Sequence, residues 1–517
     1  MGKRRALVIG AVVVVALAVI SAGLLALRHD RRAAGSAQRT AVPSATAAPT
    51  ATASPTPSAP PAPEPSLSPV LRPESSVEAT DAKKLAQRIA GAGKSGGKAS
   101  AAVMSADSGK LLYSSGADSA LIPASTNKML TAAAALELLG PQHRFSTSVV
   151  SSTPLDIATP SASTSSSSAA SPSSSRRSTS PSAEASAGAS ASPSTAKRSG
   201  KIILVGGGDP YLTDNAADTT DVGQASLQKL AADTAVRLRK AGIGSVQLGY
   251  DASLFTGPSW NPHWPDGYSD VVTPTSALWV DEGRLYGSIG PRQPEPAKSA
   301  AEAFAGQLKK QGIKVGTIAQ TRPSSKAEAV ATVPSLTLER IVERLLMSSD
   351  NDAAEVILRQ AGIAAGKGGS FTGGTAAVRG TLSKLHAWVS TTHTDDGSGL
   401  SRGNRVSADA LVKIIRLAAS GDRPKLSALL TGLPVAGVEG SLRYRLGSDD
   451  AAAGRGLVRA KTGTLREVHS LAGYAYTRDG ELLVYAFLVN NAKNEWNAVV
   501  WLDKVSAAVA TCGCRKS

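Results

Sequence analysis

The sequence predicts an α/β protein in which one sheet is covered by helices on both faces. Strand-like runs occur near both ends of the folded part, at 99–104 and 482–489, with helical patterns between them. Such an order is expected when strands from both ends of a chain join one sheet and helices pack against it. The chain has 517 residues, 42% of them apolar, which allows two or three domains with a sizeable core.

Several shorter patterns fill in this outline. A hairpin is predicted around an Asp-Ser-Gly turn near 107–109, and a second one around an Arg-Asp-Gly turn near 478–480. Periodic apolar residues predict helices, because they recur at the spacing of one helix face. These helices are expected at 129–139, 338–346 and 495–509.

The formal net charge is +16. An excess of basic groups suits an anionic environment such as a membrane surface, an acidic polymer or nucleic acid, and it equally suits a simply solvated surface. The chain has no recognisable nucleic-acid module, so we predict no nucleic-acid partner. The histidines share no spacing typical of a Ser-His-Asp triad or a zinc site, and we predict no metal and no cofactor.

The N-terminus carries a basic group of residues followed by a long apolar run. Lys3, Arg4 and Arg5 lie within residues 1–5, and residues 6–27 are uncharged and apolar. A run of this length can cross a bilayer. We therefore expect a cytoplasmic tail at 1–5 and, at 6–27, either an uncleaved transmembrane anchor or a signal peptide. Arg28, Arg31 and Arg32 follow the run and weaken the charge asymmetry, so the N-terminus is placed inside mainly because the rest of the chain looks extracytoplasmic, either anchored to the cell membrane or secreted.

Two tracts are too poor in large apolar residues to fold. Residues 28–75 are rich in Pro, Ala, Ser and Thr and predict a disordered, extended linker. The second tract, 151–199, lies between strand patterns at 145–150 and 201–205. Because strands flank it, we expect a disordered loop within a domain rather than a domain boundary.

Two cysteines, Cys512 and Cys514, lie near the C-terminus. Two thiolates without nearby histidines make a poor metal site. In an oxidising compartment they would form a disulfide with each other or with another chain, and in a reducing one they would belong to a mobile tail.

The first candidate for chemistry is the segment 123–128, which places Ser125 three residues before Lys128. It precedes a helical pattern, and residues three apart on a helix share one face. A serine hydroxyl is a weak nucleophile, and a neutral lysine beside it can accept its proton. The same spacing recurs elsewhere in the chain, so in isolation it is more typical of a capping serine and a surface lysine.

The second candidate is Ser349-Asp350-Asn351, between the helical pattern at 338–346 and another at 353–360. A serine hydroxyl can relay a proton to a leaving amine, and an asparagine amide can hold a substrate carbonyl. Alone, this triplet is also typical of a helix end followed by a helix start.

The third candidate is Lys461-Thr462-Gly463, which occurs once and follows an apparent strand start at 456–458. Gly463 would let a substrate backbone approach the strand. Lys461 and Thr462 could then bind a terminal carboxylate. The alternative is a turn after a strand, with the lysine in solvent.

In this order, the three motifs resemble the signature of active-site serine β-lactamases and penicillin-binding proteins. The long separation of Ser125 from Ser349 resembles one branch of them, the D-alanyl-D-alanine carboxypeptidase/endopeptidase family, also called class C low-molecular-mass penicillin-binding proteins. Segments 205–210, 396–402 and 433–442 are also similar to that family. The resemblance extends from about residue 80 to the C-terminus.

The resemblance implies a β-lactamase/transpeptidase-like catalytic domain with a sheet face and a helical face, and an active site in the cleft between them. We expect this domain to comprise 76–144 and 322–517. A β-rich inserted domain at 145–321, containing the loop at 151–199, would interrupt it. The segment 396–402 is expected at the rim of the active site.

The resemblance also implies acyl transfer. Ser125 would be the nucleophile and Lys128 the group that accepts its proton. Backbone N–H groups of Ser125 and Thr464 would form the oxyanion hole. Ser349 and Lys128 would pass the proton to the leaving amine, and Asn351 would orient the peptide.

Substrate binding is expected along Lys461, Thr462, Gly463 and Thr464, with the first two at the carboxylate. The implied function is a serine-type D-Ala-D-Ala carboxypeptidase, with D,D-endopeptidase action left open. The expected partners are peptidoglycan stem peptides and β-lactam antibiotics, and the membrane through the N-terminal segment. The alternatives are a β-lactamase or esterase on the same scaffold, or a non-catalytic wall-binding protein.

Overall fold

The computed structural model describes residues 79–151, 198–286 and 290–514. Outside these ranges lie the predicted tail (1–5), apolar run (6–27) and linker (28–75), and residues 152–197 of the predicted loop. Within them, no helix combines the length and the apolar character that crossing a bilayer requires.

The described residues form strands and helices that alternate along the chain. The strands are β1 (Lys98–Ser105), β2 (Leu111–Ser115), β3 (Ser146–Ser151), β4 (Arg198–Val205), β5 (Ile243–Asp251), β6 (Lys314–Gln320), β7 (Glu328–Pro334), β8 (Arg459–Leu465), β9 (Val468–Tyr476) and β10 (Leu482–Asn490). The helices are α1 (Ala82–Gly91), α2 (Lys128–Leu139), α3 (Leu227–Lys240), α4 (Pro296–Lys310), α5 (Leu338–Ser348), α6 (Asn351–Ala364), α7 (Phe371–Lys384), α8 (Ala408–Ala419), α9 (Ala428–Thr431), α10 (Asp449–Ala452) and α11 (Glu495–Ala510).

Strands from both ends of the described chain form one antiparallel sheet, in the order β2-β1-β10-β9-β8. β1 pairs along its whole length with β10, so that Lys98 lies opposite Asn490 and Ser105 opposite Leu483. β8, which carries the third motif, lies at the edge. The predicted sheet built from both chain ends, and both predicted hairpins, are confirmed.

Helices cover both faces of this sheet because its inner strands are apolar on both sides. Along β10, Val484 and Leu488 belong to a core shared with α2, α5, α6, α7 and α8. The alternate residues Tyr485 and Phe487 belong to a second core, shared with α1 and α11. Every residue of β10 is buried, as expected for a strand covered on both faces.

A second sheet has the order β6-β5-β4-β3-β7. β4, β5 and β6 run parallel, and α3 and α4 provide the crossovers between them. β3 pairs antiparallel with β4 and with β7, so β7 belongs to this sheet although it follows the predicted boundary at 321. Ser151 and Arg198 lie in β3 and β4, so these strands extend into the ends of the predicted loop.

The chain between β5 and α4 packs against residues on the helical side of the first sheet, and we name its described residues, 252–286 and 290–295, the connecting segment. The indole N–H of Trp264 donates to Asp396 Oδ2 at 2.8 Å. The backbone N–H of Thr273 donates to Asp352 Oδ1 at 2.6 Å. Both acceptors are buried, so these bonds fix the connecting segment against α6 and against the segment 396–402.

A disulfide joins Cys512 to Cys514, and both residues are buried. The Cys514 carbonyl accepts a hydrogen bond from the Asp81 backbone N–H at 2.7 Å, beside the start of α1. The structure therefore contains the disulfide within the chain, which is one of the alternatives predicted for the two cysteines.

Candidate active site

Ser125 lies in a short 3₁₀ turn, Ala124–Asn127, directly before α2. Ala124 holds φ at +47°, a left-handed conformation that is strained for any residue except glycine. The hydroxyl groups of Thr126 and Ser470 both donate to the Pro123 carbonyl, each at 2.7 Å. These bonds hold the turn in place, and Ser125 is half-buried.

Lys128 is completely buried, and its ammonium group donates three hydrogen bonds. The acceptors are Ser125 Oγ at 3.0 Å, Asn351 Oδ1 at 2.7 Å and the Ser398 carbonyl at 2.7 Å. Burial lowers the pKa of Lys128 to about 8, although neighbouring carboxylates, Glu355 foremost, oppose the shift. A fraction of Lys128 is therefore neutral near physiological pH and can accept a proton from Ser125.

Ser349 ends α5 in a left-handed conformation with φ +60°. Its hydroxyl oxygen accepts a hydrogen bond from Lys461 Nζ at 2.8 Å. Asp350 then caps α6, which places Asn351 in the first turn of that helix. The side-chain amide of Asn351 donates to the Val271 carbonyl at 3.0 Å, and this contact leaves its oxygen facing the ammonium group described above.

Lys461 is completely buried within β8, so the alternative of a solvent-exposed lysine in a turn is wrong. The strand begins at Arg459, later than the predicted start at 456. Lys461 Nζ donates to Ser349 Oγ and to the Thr462 carbonyl, both at 2.8 Å. Burial, and next the charge of Lys128, lowers the pKa of Lys461 well below its usual value.

The main chain of β8 passes directly beside the Ser125 turn at Gly463. A Cβ atom at Gly463 would lie 2.6 Å from the Pro123 carbonyl oxygen and 3.1 Å from the Ser125 nitrogen, so only glycine permits this approach. Thr464 follows and is exposed. The Ala460 N–H bonds to a carbonyl outside the sheet, and N–H directions alternate along a strand, so the Thr464 N–H points to the same free edge.

The hydroxyl of Thr462 donates to Ser441 Oγ at 2.8 Å. Ser441 is exposed and Thr462 is buried, so this pair of hydroxyl groups reaches the surface through Ser441. The sequence placed Ser441 in the segment 433–442 but gave it no role. Nothing in its immediate neighbours distinguishes it from an ordinary loop serine.

The segment 396–402 lies beneath Lys128 rather than at the rim, where we expected it. Ser398 is completely buried, and its carbonyl accepts one of the three ammonium hydrogen bonds. Gly399 has φ +89° and packs against the Ala124 carbonyl, where a Cβ atom would clash. The segment therefore supports the Ser125 turn from below.

Glu355 was not singled out from the sequence, yet it organises this segment. It lies one helical turn after Asn351 and is completely buried. Its carboxylate accepts the N–H groups of Gly397 at 2.9 Å and of Ser398 at 2.7 Å. Burial, followed by the charge of Asp396, raises the pKa of Glu355 to about 8. An acidic residue on the buried face of a helix is the signal that could have identified it.

A cleft of about 920 Å³ opens beside Ser349 and Asn351, against the connecting segment. Three buried carboxylates near it, those of Glu282, Asp350 and Asp352, are close enough together to hold a metal ion. The guanidinium group of Arg284 already pairs with Glu282 and Asp352. Positive charge is thus present at the point where a cation would bind, and we assign no metal there.

The structure brings all the sequence-predicted site residues together. Ser125, Lys128 and Asn351 form one hydrogen-bonded chain, and Ser349 and Lys461 form a second one beside it. Thr462, Gly463 and Thr464 continue along β8. This arrangement brings a serine hydroxyl, two lysine side chains and an amide into one cluster, a combination that is able to support acyl transfer.

Comparison with known proteins identifies the same family as the motifs. Residues 81–169, 186–294 and 288–507 match the model of the D-Ala-D-Ala carboxypeptidase 3 (S13) family. A carboxypeptidase of Mycobacterium tuberculosis is 31% identical over 428 residues, which cover 81% of each chain. Carboxypeptidase DacB of Mycolicibacterium smegmatis is 29% identical over 420 residues, which cover 80% of each chain.

The fold also matches solved structures. Penicillin-binding protein 4 of Haemophilus influenzae superposes with a TM-score of 0.60 at 20% sequence identity, over 82% of this chain and 98% of that one. A crystal structure of the same protein in complex with a β-lactam gives a TM-score of 0.56 at 21% identity, over the same shares of both chains. The predicted fold class is therefore confirmed. The sequence match spans most of the described residues, and the chain belongs to the D-Ala-D-Ala carboxypeptidase 3 (S13) family.

Proposed function

We propose that this protein is a serine-type D-Ala-D-Ala carboxypeptidase that acts on peptidoglycan stem peptides through an acyl-enzyme on Ser125. The observation that carries the proposal is the 3.0 Å hydrogen bond between Ser125 Oγ and Lys128 Nζ. Burial lowers the pKa of that lysine to about 8, which makes it a suitable general base. Family membership supports the choice of substrate.

Acylation begins when neutral Lys128 accepts the hydroxyl proton of Ser125. The Ser125 oxygen then bonds to the carbonyl carbon of the penultimate D-Ala, and the carbonyl oxygen becomes an oxyanion. The N–H of Thr464 points to the open edge of β8, and that strand passes beside the Ser125 nitrogen at Gly463. These two N–H groups are the proposed oxyanion hole, each contributing roughly 3–4 kcal/mol of transition-state stabilisation.

Collapse of this intermediate breaks the peptide bond and releases the terminal D-Ala amine. The amine needs one proton, which Lys128 returns directly or through the Ser349 hydroxyl. Lys461 donates to Ser349 Oγ at 2.8 Å and so leaves the serine's own proton free to be passed on. Water then attacks the ester, Lys128 accepts a water proton, and Ser125 leaves as the restored hydroxyl.

The free edge of β8 is the proposed peptide-binding strand, since an extended peptide can pair with it as an added strand. The terminal carboxylate would meet the hydroxyl groups of Thr462 and Ser441, which lie 2.8 Å apart. Lys461 is completely buried and bonded to Ser349, so we assign it no direct contact with the carboxylate. Asn351 would hold the acyl side of the peptide.

The test is to incubate the purified protein with a fluorescent penicillin and, separately, with a disaccharide pentapeptide. We expect a covalent adduct mapped to Ser125 by mass spectrometry and release of D-Ala, and neither with Ser125→Ala. A folded protein without an adduct, or D-Ala release by Ser125→Ala, would refute the assignment. Rapid turnover of penicillin would indicate a β-lactamase instead, and cleavage of cross-linked dimers would add D,D-endopeptidase action.

We also infer an extracytoplasmic location, with residues 6–27 as a membrane anchor or a signal peptide. The support is the apolar run after Lys3, Arg4 and Arg5, together with a proposed substrate that lies outside the membrane. Expression of the full chain in a related bacterium, followed by fractionation and N-terminal sequencing, distinguishes the anchor from the signal peptide. Recovery of intact chain from the soluble cytoplasm would contradict both.

A further inference from the structure

The start of α6 is held by the connecting segment through its main chain. The Val271 carbonyl accepts the side-chain amide of Asn351 at 3.0 Å. Two residues later, the Thr273 N–H donates to Asp352 Oδ1 at 2.6 Å. Asn351 and Asp352 are neighbours, so movement of the connecting segment would displace both contacts together.

Two arginines of the connecting segment complete the attachment. Arg284 and Arg292 approach Asp352 Oδ2 at 3.2 Å and 3.3 Å. The two residues are paired in an antiparallel bridge, which places both guanidinium groups beside Asp352. The Asp352 side chain is 0% exposed and that of Arg292 only 4%, so solvent hardly screens these ion pairs.

Asp352 makes no contact with Ser125 or Lys128 in its hydrogen bonds and ion pairs. Its partners are Thr273, Arg284 and Arg292, all on the connecting segment. A buried carboxylate with three donors from one segment is a fixed attachment point. The side chain of Asn351 donates to the Val271 carbonyl and accepts a hydrogen bond from the ammonium group of Lys128. Making both bonds at once requires a defined position of the Asn351 backbone.

We propose that Asp352, held by Arg284 and Arg292, is a positioning residue that fixes Asn351 against Lys128. The connecting segment would then be part of the catalytic apparatus, and not only a link between β5 and α4. The inference depends on the proposed roles of Ser125 and Lys128.

The charge of Asp352 provides a second readout, the pH dependence of the reaction. Burial lowers the pKa of Lys128, and the carboxylates of Glu355, Asp396, Asp350 and Asp352 raise it. The ammonium group of Lys461 is its charged neighbour. Neutralising Asp352 removes one of the raising charges. The pKa of Lys128 would fall, and a reaction that needs neutral lysine would keep its rate to lower pH.

The experiment measures the second-order rate of labelling by a fluorescent penicillin from pH 6 to 9.5, with D-Ala release as a second assay. We expect Asp352→Asn to slow labelling at the optimum by about 10–100-fold, as small misplacements of catalytic groups do. The acid limb should move to lower pH, and kcat should fall more than KM changes. Asp233→Asn, in an exposed pair with Lys229, is the matched control and should behave like the parent protein.

Arg292→Gln tests the same idea without removing the carboxylate. It should slow labelling, and the acid limb should stay or move to higher pH. It should not move to lower pH, as it does in Asp352→Asn. Because both residues act through one contact, the double variant should lose little more than Asp352→Asn alone. Fully additive losses, or labelling by both single variants within twofold of the parent, would overturn the inference.

Two further outcomes are decisive in this design. If Asp352→Asn does not fold, as judged by its thermal transition, Arg292→Gln decides alone by its rate and by the direction of its acid limb. Absence of labelling in the parent protein would refute the proposed function itself. Normal labelling of the parent and of both variants would refute only the positioning role.

Discussion

The ammonium group of Lys461 lies 2.8 Å from the hydroxyl oxygen of Ser349, and neither of its two acceptors carries a charge. A second buried lysine, Lys128, is close enough to lower its pKa further. Placing two buried ammonium groups near each other opposes folding, because each is desolvated and they repel. The two buried lysines that the proposed reaction uses therefore lower the stability of the fold.

Lys461→Met should therefore stabilise the fold while it weakens the enzyme. Methionine has a similar length and no charge to desolvate, and half-buried Ser349 can bond to water instead. We expect the melting temperature to rise by a few degrees at pH 7, or about 1–3 kcal/mol. Labelling by penicillin should fall by about 10²–10³-fold.

The pH dependence of stability provides a second check on the direction of this effect. The folded-state pKa of Lys461 lies below its ordinary value, so the protonated form opposes folding and the penalty grows as pH falls from about 10.5. The stability gain of Lys461→Met should be larger at pH 7 than at pH 10. Lys229→Met, at an exposed position, is the control. A lower melting temperature for Lys461→Met at pH 7 would contradict this account.

The rate of acylation should follow the titration of Lys128. In the proposed mechanism neutral Lys128 is the active form, and burial lowers its pKa to about 8. Stopped-flow labelling by penicillin should therefore accelerate as pH rises from 6.5 and level off above about 8.5. Lys128→Arg stays protonated throughout this range, so it should be slower by at least about 10²-fold at every pH. A profile without an acid limb would indicate another base.

The sequence was sufficient to predict the first sheet, because its strand patterns are strong, and the three motifs, because they occur together in one order although each is weak alone. The motif residues lie at the ends of elements with clear periodicity, and their order in the chain reduced the ambiguity of each one. α3 was missed, although Leu227, Leu230 and Leu238 follow helical spacing after the capping Ser226. The inserted region therefore has more helix than we expected.

Tertiary contacts that join distant residues could not be predicted from the sequence. Glu355 and Ser398 are 43 residues apart, and no local pattern indicates that one binds the backbone of the other. The segment 396–402 was expected at the rim because of the family resemblance, and its own glycine and serine residues are equally typical of an ordinary loop. Its burial depends on Asp396, which accepts hydrogen bonds from Ser401 and Trp264.

Glu355→Gln should disturb the site from beneath. Glutamine keeps one oxygen acceptor but turns an N–H₂ group towards the backbone N–H groups of Gly397 and Ser398, which the carboxylate now accepts. The Ser398 carbonyl would move away from Lys128, and penicillin labelling should fall by about tenfold or more. Exposed Glu302, on α4, provides the control Glu302→Gln. Equal labelling rates for the two variants would show that the buried carboxylate does not position the lysine.

Gly463→Ala should separate the edge strand from the nucleophile turn. The added methyl group would lie 2.6 Å from the Pro123 carbonyl oxygen and 3.1 Å from the Ser125 nitrogen, closer than atoms pack, so β8 must shift. Because the proposed oxyanion hole joins N–H groups of Ser125 and Thr464 across this contact, we expect labelling to slow by about 10²-fold and stability to fall by about 1–3 kcal/mol. Gly447→Ala adds a methyl group where no atom lies within 4 Å and should change neither quantity. Labelling of Gly463→Ala at the parental rate would show that the close approach of β8 to the Ser125 turn has no part in catalysis.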